Sequence, residues 1–380
     1  MELAAKRIIA VAGGGTAGHI LPAIDVLRAY RREFGAAGFF IGCASGLETR
    51  LVPAHGERLE LVPGLPWARQ GLAGKLRAIA SVPAGILAAR RILRREKIQL
   101  LVGVGGYATF GACMAAVSLG IPVVIHEANA EPGLANRLAA RFASLVCAGF
   151  AETAARFAAK VEITGTPAGS ITRASHNDAP PWRFLVLGGS EGSPVLNRQA
   201  PVLFAELRRR GMAFTVRHIS GFGDAAAIAR AYGQAGVDVR VDSFVDDMAS
   251  VYNGATLAIA SAGARSMAEL SAAAIPSFLV PLPGAANDHQ TANAVAYSAR
   301  TGAAVIPESQ WDTGQVAARI EAIVASSREL GRLREGAAAW SNADAALKVV
   351  RACEHLLRAR QAADQRYRAT AIAGSADVQD

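Results

Sequence analysis

Two stretches of the chain share one pattern, an apolar run of strand character that ends in a glycine cluster and leads into a helix. The first is Ile8-Ile9-Ala10-Val11-Ala12-Gly13-Gly14-Gly15; the second is Phe184-Leu185-Val186-Leu187-Gly188-Gly189-Ser190. A strand that turns on glycine into a helix opens a βαβ unit, and parallel strands require such crossovers. The same alternation continues along the chain. Residues 7–12, 38–41, 99–104, 123–126 and 145–148 read as strands in the first half, and residues 184–187, 214–219, 237–241, 257–260, 277–280 and 304–306 in the second. Helical patterns lie between them, among them residues 22–34, 84–96 and 197–210. The expected fold is therefore α/β, with two Rossmann-like doubly wound parallel sheets facing a central cleft.

The expected boundaries are residues 1–168 for the first domain and 183–345 for the second. A polar, proline-containing linker at 169–182 separates them, and the polar, patternless residues 361–380 read as a disordered tail. Hydrophobic residues make up 52% of the chain and charged residues 19%, enough apolar material for two cores. Residues 98–125 carry no charge and are long enough to span a bilayer, but Gly103, Gly105, Gly106, Gly111, Gly120 and Pro122 interrupt them. They parse better as strand, glycine turn, helix and strand, because a parallel strand buried on both faces is apolar throughout. The apolar run after Lys6-Arg7 is too short for the core of a signal peptide. Cys43, Cys113, Cys147 and Cys353 form no CxxC pair, which argues against a disulfide framework or zinc site and fits a reducing cytoplasm. A net charge of +9 favours an anionic partner, whereas 6% aromatics without basic–aromatic interleaving count against nucleic acid.

Gly13-Gly14-Gly15-Thr16-Ala17-Gly18 fits GxGxxG, yet the second strand ends without the acid that a dinucleotide ribose needs; Glu48 lies past the turn. His19 follows the glycines where a helix begins. It is either a packing or capping histidine or a group that points into the cleft and titrates near neutrality. Gly103-Val104-Gly105-Gly106-Tyr107 and Gly188–Ser193 are further glycine turns at strand ends, consistent with a phosphate-bearing or sugar ligand. His126-Glu127-Ala128-Asn129 reads equally as a helix-start network or a sugar-hydroxyl site. Ser261-Ala262-Gly263-Ala264 precedes a helix whose N-terminus suits a diphosphate; Glu269 on that helix is either a partner for ribose hydroxyls or a surface helical acid, and taken alone it reads as the latter. Asp288 reads as a helix cap, while His289 and Gln290 beside it could equally bind a sugar; Asp246-Asp247 reads as an N-cap, and no metal is required.

In this order the motifs resemble the MurG family of UDP-N-acetylglucosamine transferases from about Arg7 to Arg358. Its marks are Gly14–His19, Gly105-Gly106-Tyr107, Gly120–Glu127, Pro132–Arg137, Phe244-Val245-Asp246-Asp247-Met248 and Asp288–Ala294. The resemblance implies a GT-B fold, with a last helix, residues 346–360, returning to the first domain. It also implies an inverting hexosyl transfer that needs no metal or cofactor. The donor would be UDP-N-acetylglucosamine, and the acceptor the 4-hydroxyl of undecaprenyl-diphospho-muramoyl-pentapeptide.

Carried over, Gly14, Thr16, His19 and Asn129 lie on the acceptor side, with His19 as the catalytic group. Ser190, Phe244, Val245, Glu269 and Gln290 lie on the UDP-sugar side. Gly15, Ala17, Gly18, Gly169, Ala264, Arg265 and His289 complete the substrate-binding set. Two arginines of the family pattern are absent, at Gly169 and Ser261, and Arg265 is the nearest replacement. That departure leaves open a GT-B enzyme with another substrate, a UDP-sugar epimerase, or a non-catalytic cell-wall scaffold. A lipid-linked acceptor implies a peripheral site on the anionic cytoplasmic membrane surface, alongside other cell-wall synthesis proteins. Leu72, Lys75, Leu76 and Ile79 are the expected membrane-facing residues; a solvated helix face is the other reading.

Overall fold

The computed structural model describes residues 7–65 and 71–376. The first sheet comprises β1 (Ile8–Gly13), β2 (Ala37–Cys43), β3 (Leu59–Val62), β4 (Leu100–Gly105), β5 (Val123–Glu127), β6 (Leu145–Ala148) and β7 (Val161–Ile163). Its order is β3-β2-β1-β4-β5-β6-β7, and every neighbouring pair is parallel. The second comprises β8 (Trp182–Leu187), β9 (Phe214–Ile219), β10 (Val239–Asp242), β11 (Leu257–Ala260), β12 (Ser277–Leu279) and β13 (Ala304–Val305). These run β10-β9-β8-β11-β12-β13, again all parallel. The short edge strands β3 and β7 were not expected.

In the first half the connecting helices are α1 (Ala17–Phe34), α2 (Glu48–Ala54), α3 (Leu72–Arg95), α4 (Tyr107–Val117) and α5 (Leu134–Ala139). In the second they are α6 (Pro194–Arg209), α7 (Ala225–Gln234), α8 (Met248–Tyr252), α9 (Ala264–Ala272), α10 (His289–Thr301), α11 (Thr313–Ala325) and α12 (Ser327–Trp340). The uncharged run at 98–125 is β4, α4 and β5, with Leu100, Leu101, Val102, Val124 and Ile125 wholly inaccessible. A strand covered by helices on both faces has no polar side to show. Among the described residues no helix is long and apolar enough to cross a membrane.

The last helix, α13, runs Ala345–Ala376. Its first turns pack Val349, Val350, Cys353 and Leu357 into the core that holds Ile20, Ile24 and Leu27 of α1. Glu354, also buried, takes Arg7 Nε at 2.8 Å and the Tyr30 hydroxyl at 3.1 Å. The tail expected to lack structure after Arg360 is instead a continuation of this helix through Ala376. Its segment Gln361–Ala363 and Gln365–Arg368 holds good helix formers, and helix propensity needs no apolar stripe.

In each sheet the strand order reverses once, between β1 and β4 and between β8 and β11. An open parallel sheet binds its ligand at that point, beyond the strand carboxyl ends. The glycine turns of both halves sit there. Side chains from both halves meet across the cleft. Arg265 of α9 reaches Asp25 of α1 at 2.7 Å, and Arg300 reaches Glu152 at 2.6 Å. Asn293 contacts Asn129 and Ala130, Asn287 donates to Pro132 O at 3.4 Å, and the Arg50 guanidinium lies 5.6 Å from the centre of the Phe244 ring.

Candidate active site

The first-half wall of the cleft is built where β1 and β4 end. Gly106 stands so close to Gly14 that a Cβ there would collide with the Gly14 carbonyl, and its φ of 88° also favours glycine. Two glycine turns can therefore lie back to back, with the Tyr107 hydroxyl over Gly15. Thr16 is the N-cap of α1 in an extended conformation, and no side chain caps the helix there. The amides of Ala17 and Gly18 thus begin a helix whose dipole favours an anion or a developing alkoxide.

His19, partly buried, sits in the first turn of α1 with Nδ1 at 3.2 Å from Gly14 O. That bond assigns the proton to Nδ1 and leaves Nε2 as the acceptor. Burial holds its pKa below 6.5, while the Gly14 bond and the charges of Glu48 and Glu191 pull it up; His289 pushes it down. The ring is neutral at pH 7 and able to take a proton.

His126 and Glu127, at the end of β5, are both buried. The His126 ring faces Gly165 O at 3.1 Å, and burial lowers its pKa. Glu127 accepts from Asn129 N and Nδ2 at 2.9 and 3.1 Å, Gly133 N at 3.1 Å and Asn136 Nδ2 at 2.9 Å. Of the two readings open for this segment, the geometry is that of a network organising the entry to α5. Asn136 Oδ1, buried beside it, has no partner among the described residues.

On the second-half wall, Ser190 lies in the turn between β8 and α6, and α6 is capped by Ser193, whose Oγ accepts from Leu196 N–H at 3.4 Å. α9 starts at Ala264 after Gly263, with no side-chain cap, so its positive end is open toward the turn. Gln290 braces that turn, its side-chain oxygen accepting from Ala262 N at 3.1 Å and Leu282 N at 3.0 Å. Ser261, where the family pattern has an arginine, is buried and bonds through its amide to Leu187 O. Phe244 is 38% exposed at the rim, and Val245 is half-buried. Asp247 caps α8 as expected, accepting from Ser250 N at 3.3 Å, whereas Asp288 caps no backbone amide and instead accepts from the Thr291 hydroxyl at 2.7 Å.

Glu269 is buried on α9. Its Oε1 takes Arg265 Nε at 2.8 Å and its Oε2 the Tyr252 hydroxyl at 2.8 Å. Burial pushes its carboxyl pKa up against the pull of Arg265. The Arg265 guanidinium extends further, to Asp25 Oδ2 at 2.7 Å and Pro167 O at 3.2 Å. A Cβ at Gly169 would lie 3.3 Å from Arg265 Nη2. Arg265 thus brings a guanidinium beside residue 169 from the opposite half.

Leu76 and Ile79 are 59% and 54% exposed on α3, as is Leu87 about two turns later at 56%. The side chains of Leu72 and Lys75 lie outside the described residues. Among the described residues no cluster of three His, Cys, Asp or Glu could hold a metal ion.

Three site residues were not singled out from sequence. Glu48 reaches back beneath the first glycine turn. Asn293, fully buried, donates to Asn129 Oδ1 and Ala262 O, both at 3.1 Å, and accepts from Ala130 N at 2.8 Å. Asp25 supplies the second carboxylate to Arg265. The signal available for Asp25 was a lone acid inside the apolar run Ile24-Asp25-Val26-Leu27; its partner is 240 residues away.

Residues 9–148 match the glycosyltransferase family 28 N-terminal domain and residues 183–349 the glycosyltransferase family 28 C-terminal domain. The chain is 39% identical over 353 residues to the UDP-N-acetylglucosamine--N-acetylmuramyl-(pentapeptide) pyrophosphoryl-undecaprenol N-acetylglucosamine transferase of Methylococcus capsulatus, covering 92% of this chain and 98% of that one. To the protein of the same name in Magnetococcus marinus it is 35% identical over 354 residues, covering 90% and 96%. Its structure is similar to the crystal structure of Acinetobacter baumannii MurG, with TM-score 0.74 and 27% identity over 92% of this chain and 99% of that one. A UDP-GlcNAc 2-epimerase from Neisseria meningitidis shares the fold alone, at TM-score 0.63 and 12% identity over 91% and 98%. With both halves matched in order on a GT-B fold, and the relatives covered almost end to end, the chain belongs to the MurG family of glycosyltransferases.

Proposed function

We propose that this protein transfers N-acetylglucosamine from UDP-N-acetylglucosamine to the 4-hydroxyl of the muramoyl sugar of undecaprenyl-diphospho-muramoyl-pentapeptide, with inversion and without metal or cofactor. The observation that carries this reading is one cleft with a neutral imidazole on its first wall and a nucleotide-side set, Ser190, Ala264, Glu269 and Gln290, on its second. His19 Nε2 takes the acceptor hydroxyl proton as the oxygen attacks the anomeric carbon. The bond from that carbon to the diphosphate oxygen breaks, its electron pair leaving with UDP. The N-terminus of α9, worth about half a positive charge, meets the growing negative charge. In this reading Glu269 and Gln290 serve the nucleotide sugar, Phe244 and Val245 the uracil, and Thr16 and Asn129 the acceptor.

Arg265 stands in for the absent arginines. Its charge is already shared by two carboxylates, so the donor diphosphate depends more on helix ends here than in the family pattern. An acceptor on a lipid brings the enzyme to the cytoplasmic face of the membrane as a peripheral protein. The exposed Leu76, Ile79 and Leu87, with Arg77, Arg91 and Arg94 exposed on the same helix, suit an anionic leaflet.

UDP release tests the reading, measured with UDP-N-acetylglucosamine, UDP-N-acetylgalactosamine and UDP-glucose, each with and without lipid-linked muramoyl-pentapeptide in anionic vesicles. Release only with the first donor and only with acceptor is expected. Acceptor-independent conversion of the UDP-sugar would instead mark an epimerase, and UDP binding without any release a non-catalytic scaffold.

A further inference from the structure

The peptide unit joining Gly14 to Gly15 is engaged on both sides. Its carbonyl accepts from His19 Nδ1–H at 3.2 Å, and its amide, Gly15 N–H, donates to Glu48 Oε2 at 2.9 Å. The second carboxylate oxygen, Oε1, accepts from Cys43 N–H at 2.9 Å, tying the end of β2 to the same group. Glu48 is 0% exposed. A carboxylate is among the costliest groups to place there, and a packing role would be served by an apolar side chain of similar volume. The surroundings are shaped around it: a Cβ at Gly14 or Gly46 would collide with the carboxylate, and one at Gly42 with the Glu48 Cγ.

We propose that Glu48 is a positioning residue for His19, acting through the Gly14–Gly15 peptide. The carboxylate polarises the amide it accepts from. The carbonyl of that same amide then binds Nδ1–H more strongly, since hydrogen bonds in series reinforce one another. The ring is held in one orientation and one tautomer, with Nε2 turned to the cleft as acceptor. When Nε2 takes the acceptor proton, the positive charge on the imidazolium is stabilised by the Gly14 carbonyl and, behind it, by Glu48. Other charged or titratable groups around the ring are His289 at the start of α10, Glu191 after β8 and His126 on β5. Among these, the two carboxylates, Glu48 and Glu191, favour the protonated ring and the histidines oppose it. The catalytic consequence rests on the reading of His19 as the base; the tautomer does not.

Nitrogen-15 NMR of the histidines in the full chain is the test, with His19 assigned by its loss in His19→Gln. The wild type should show the Nδ1–H tautomer of His19 and titrate below 6.5. In the isosteric Glu48→Gln variant the carboxamide oxygen can keep only one of the two amide donors and carries no charge. The His19 midpoint should then fall further, and the acid limb of kcat should move to lower pH. Turnover should drop about tenfold while KM for UDP-N-acetylglucosamine stays unchanged. An Nε2–H tautomer in the wild type overturns the proposal, even if the variant fails to fold. So does a folded Glu48→Gln protein whose His19 titration and kcat match the wild type, or one that loses turnover with no shift of the acid limb. A wild type that transfers no sugar sinks the enzyme reading instead, and the tautomer still decides the relay.

Discussion

Replacing His19 with alanine lowers turnover by about a thousandfold, within the span of effects a positioned general base produces. UDP affinity is unchanged. The separation follows from where the ring sits: it is anchored to Gly14 of the first half, whereas the nucleotide-side groups belong to the second half. Removing it takes away the proton acceptor and leaves the donor site intact. The wild-type rate should also hold up below pH 6.5, because burial lowers the His19 pKa and keeps the ring unprotonated there. As pH falls through the lowered pKa, Nε2 is occupied by a proton and the rate declines. Steady-state kinetics alongside calorimetry of UDP binding checks both parts. Unchanged turnover in the variant would remove His19 from the chemistry.

The second large effect is on stability. Arg265→Met strands Asp25 and Glu269, whose side chains are only 11% and 8% exposed, with no cation between them. Removing one partner from a buried ionic cluster costs about 3–5 kcal/mol, most of it the penalty of the charge left behind. For domains of this size that lowers the midpoint of thermal unfolding by roughly 10 °C. Because Arg265 spans α1 and α9, the loss also loosens one half from the other. UDP affinity should fall about tenfold, the scale of one charge-assisted hydrogen bond, since Glu269 loses the partner that orients it. Asp25→Asn removes one of the two carboxylates and leaves Arg265 with Glu269, so it should cost much less. Thermal unfolding and UDP calorimetry of the two variants together decide this. An Arg265→Met protein as stable as the wild type would mean that the guanidinium is solvated rather than clamped.

How much of this was legible in the sequence depended on whether a feature is local. Strands buried on both faces are continuous apolar runs, so β1, β4, β5, β6, β8 and β11 announce themselves within a residue or two. The edges β3 and β7 are short and partly exposed, and Val161-Glu162-Ile163 carries too little pattern to register. α3 was expected from residue 84; Gly74, Pro83 and Gly85 hide the earlier turns, which the structure nonetheless extends back to Leu72. The glycine turns and His19 are contiguous and could be read directly. Glu48 could not, since its target is 33 residues back across a strand. Asn293 lies within a motif that was recognised, but its role as a clamp exists only once both halves are in place. Glu269 was identified as an acid of the site, while the Arg265–Asp25 contact that shares it needs the closed cleft.

Inverting transfer is a direct displacement at the anomeric carbon of the uridine donor's sugar by the muramoyl oxygen. Proton NMR of the product formed from UDP-N-acetylglucosamine and a lipid-linked muramoyl-pentapeptide, with a chelator present throughout, tests it most directly. One equivalent of UDP and a disaccharide joined through a β-linkage to the muramoyl 4-oxygen are expected. An α-linkage, transfer to another hydroxyl, or a reaction that halts until divalent metal is restored would contradict it.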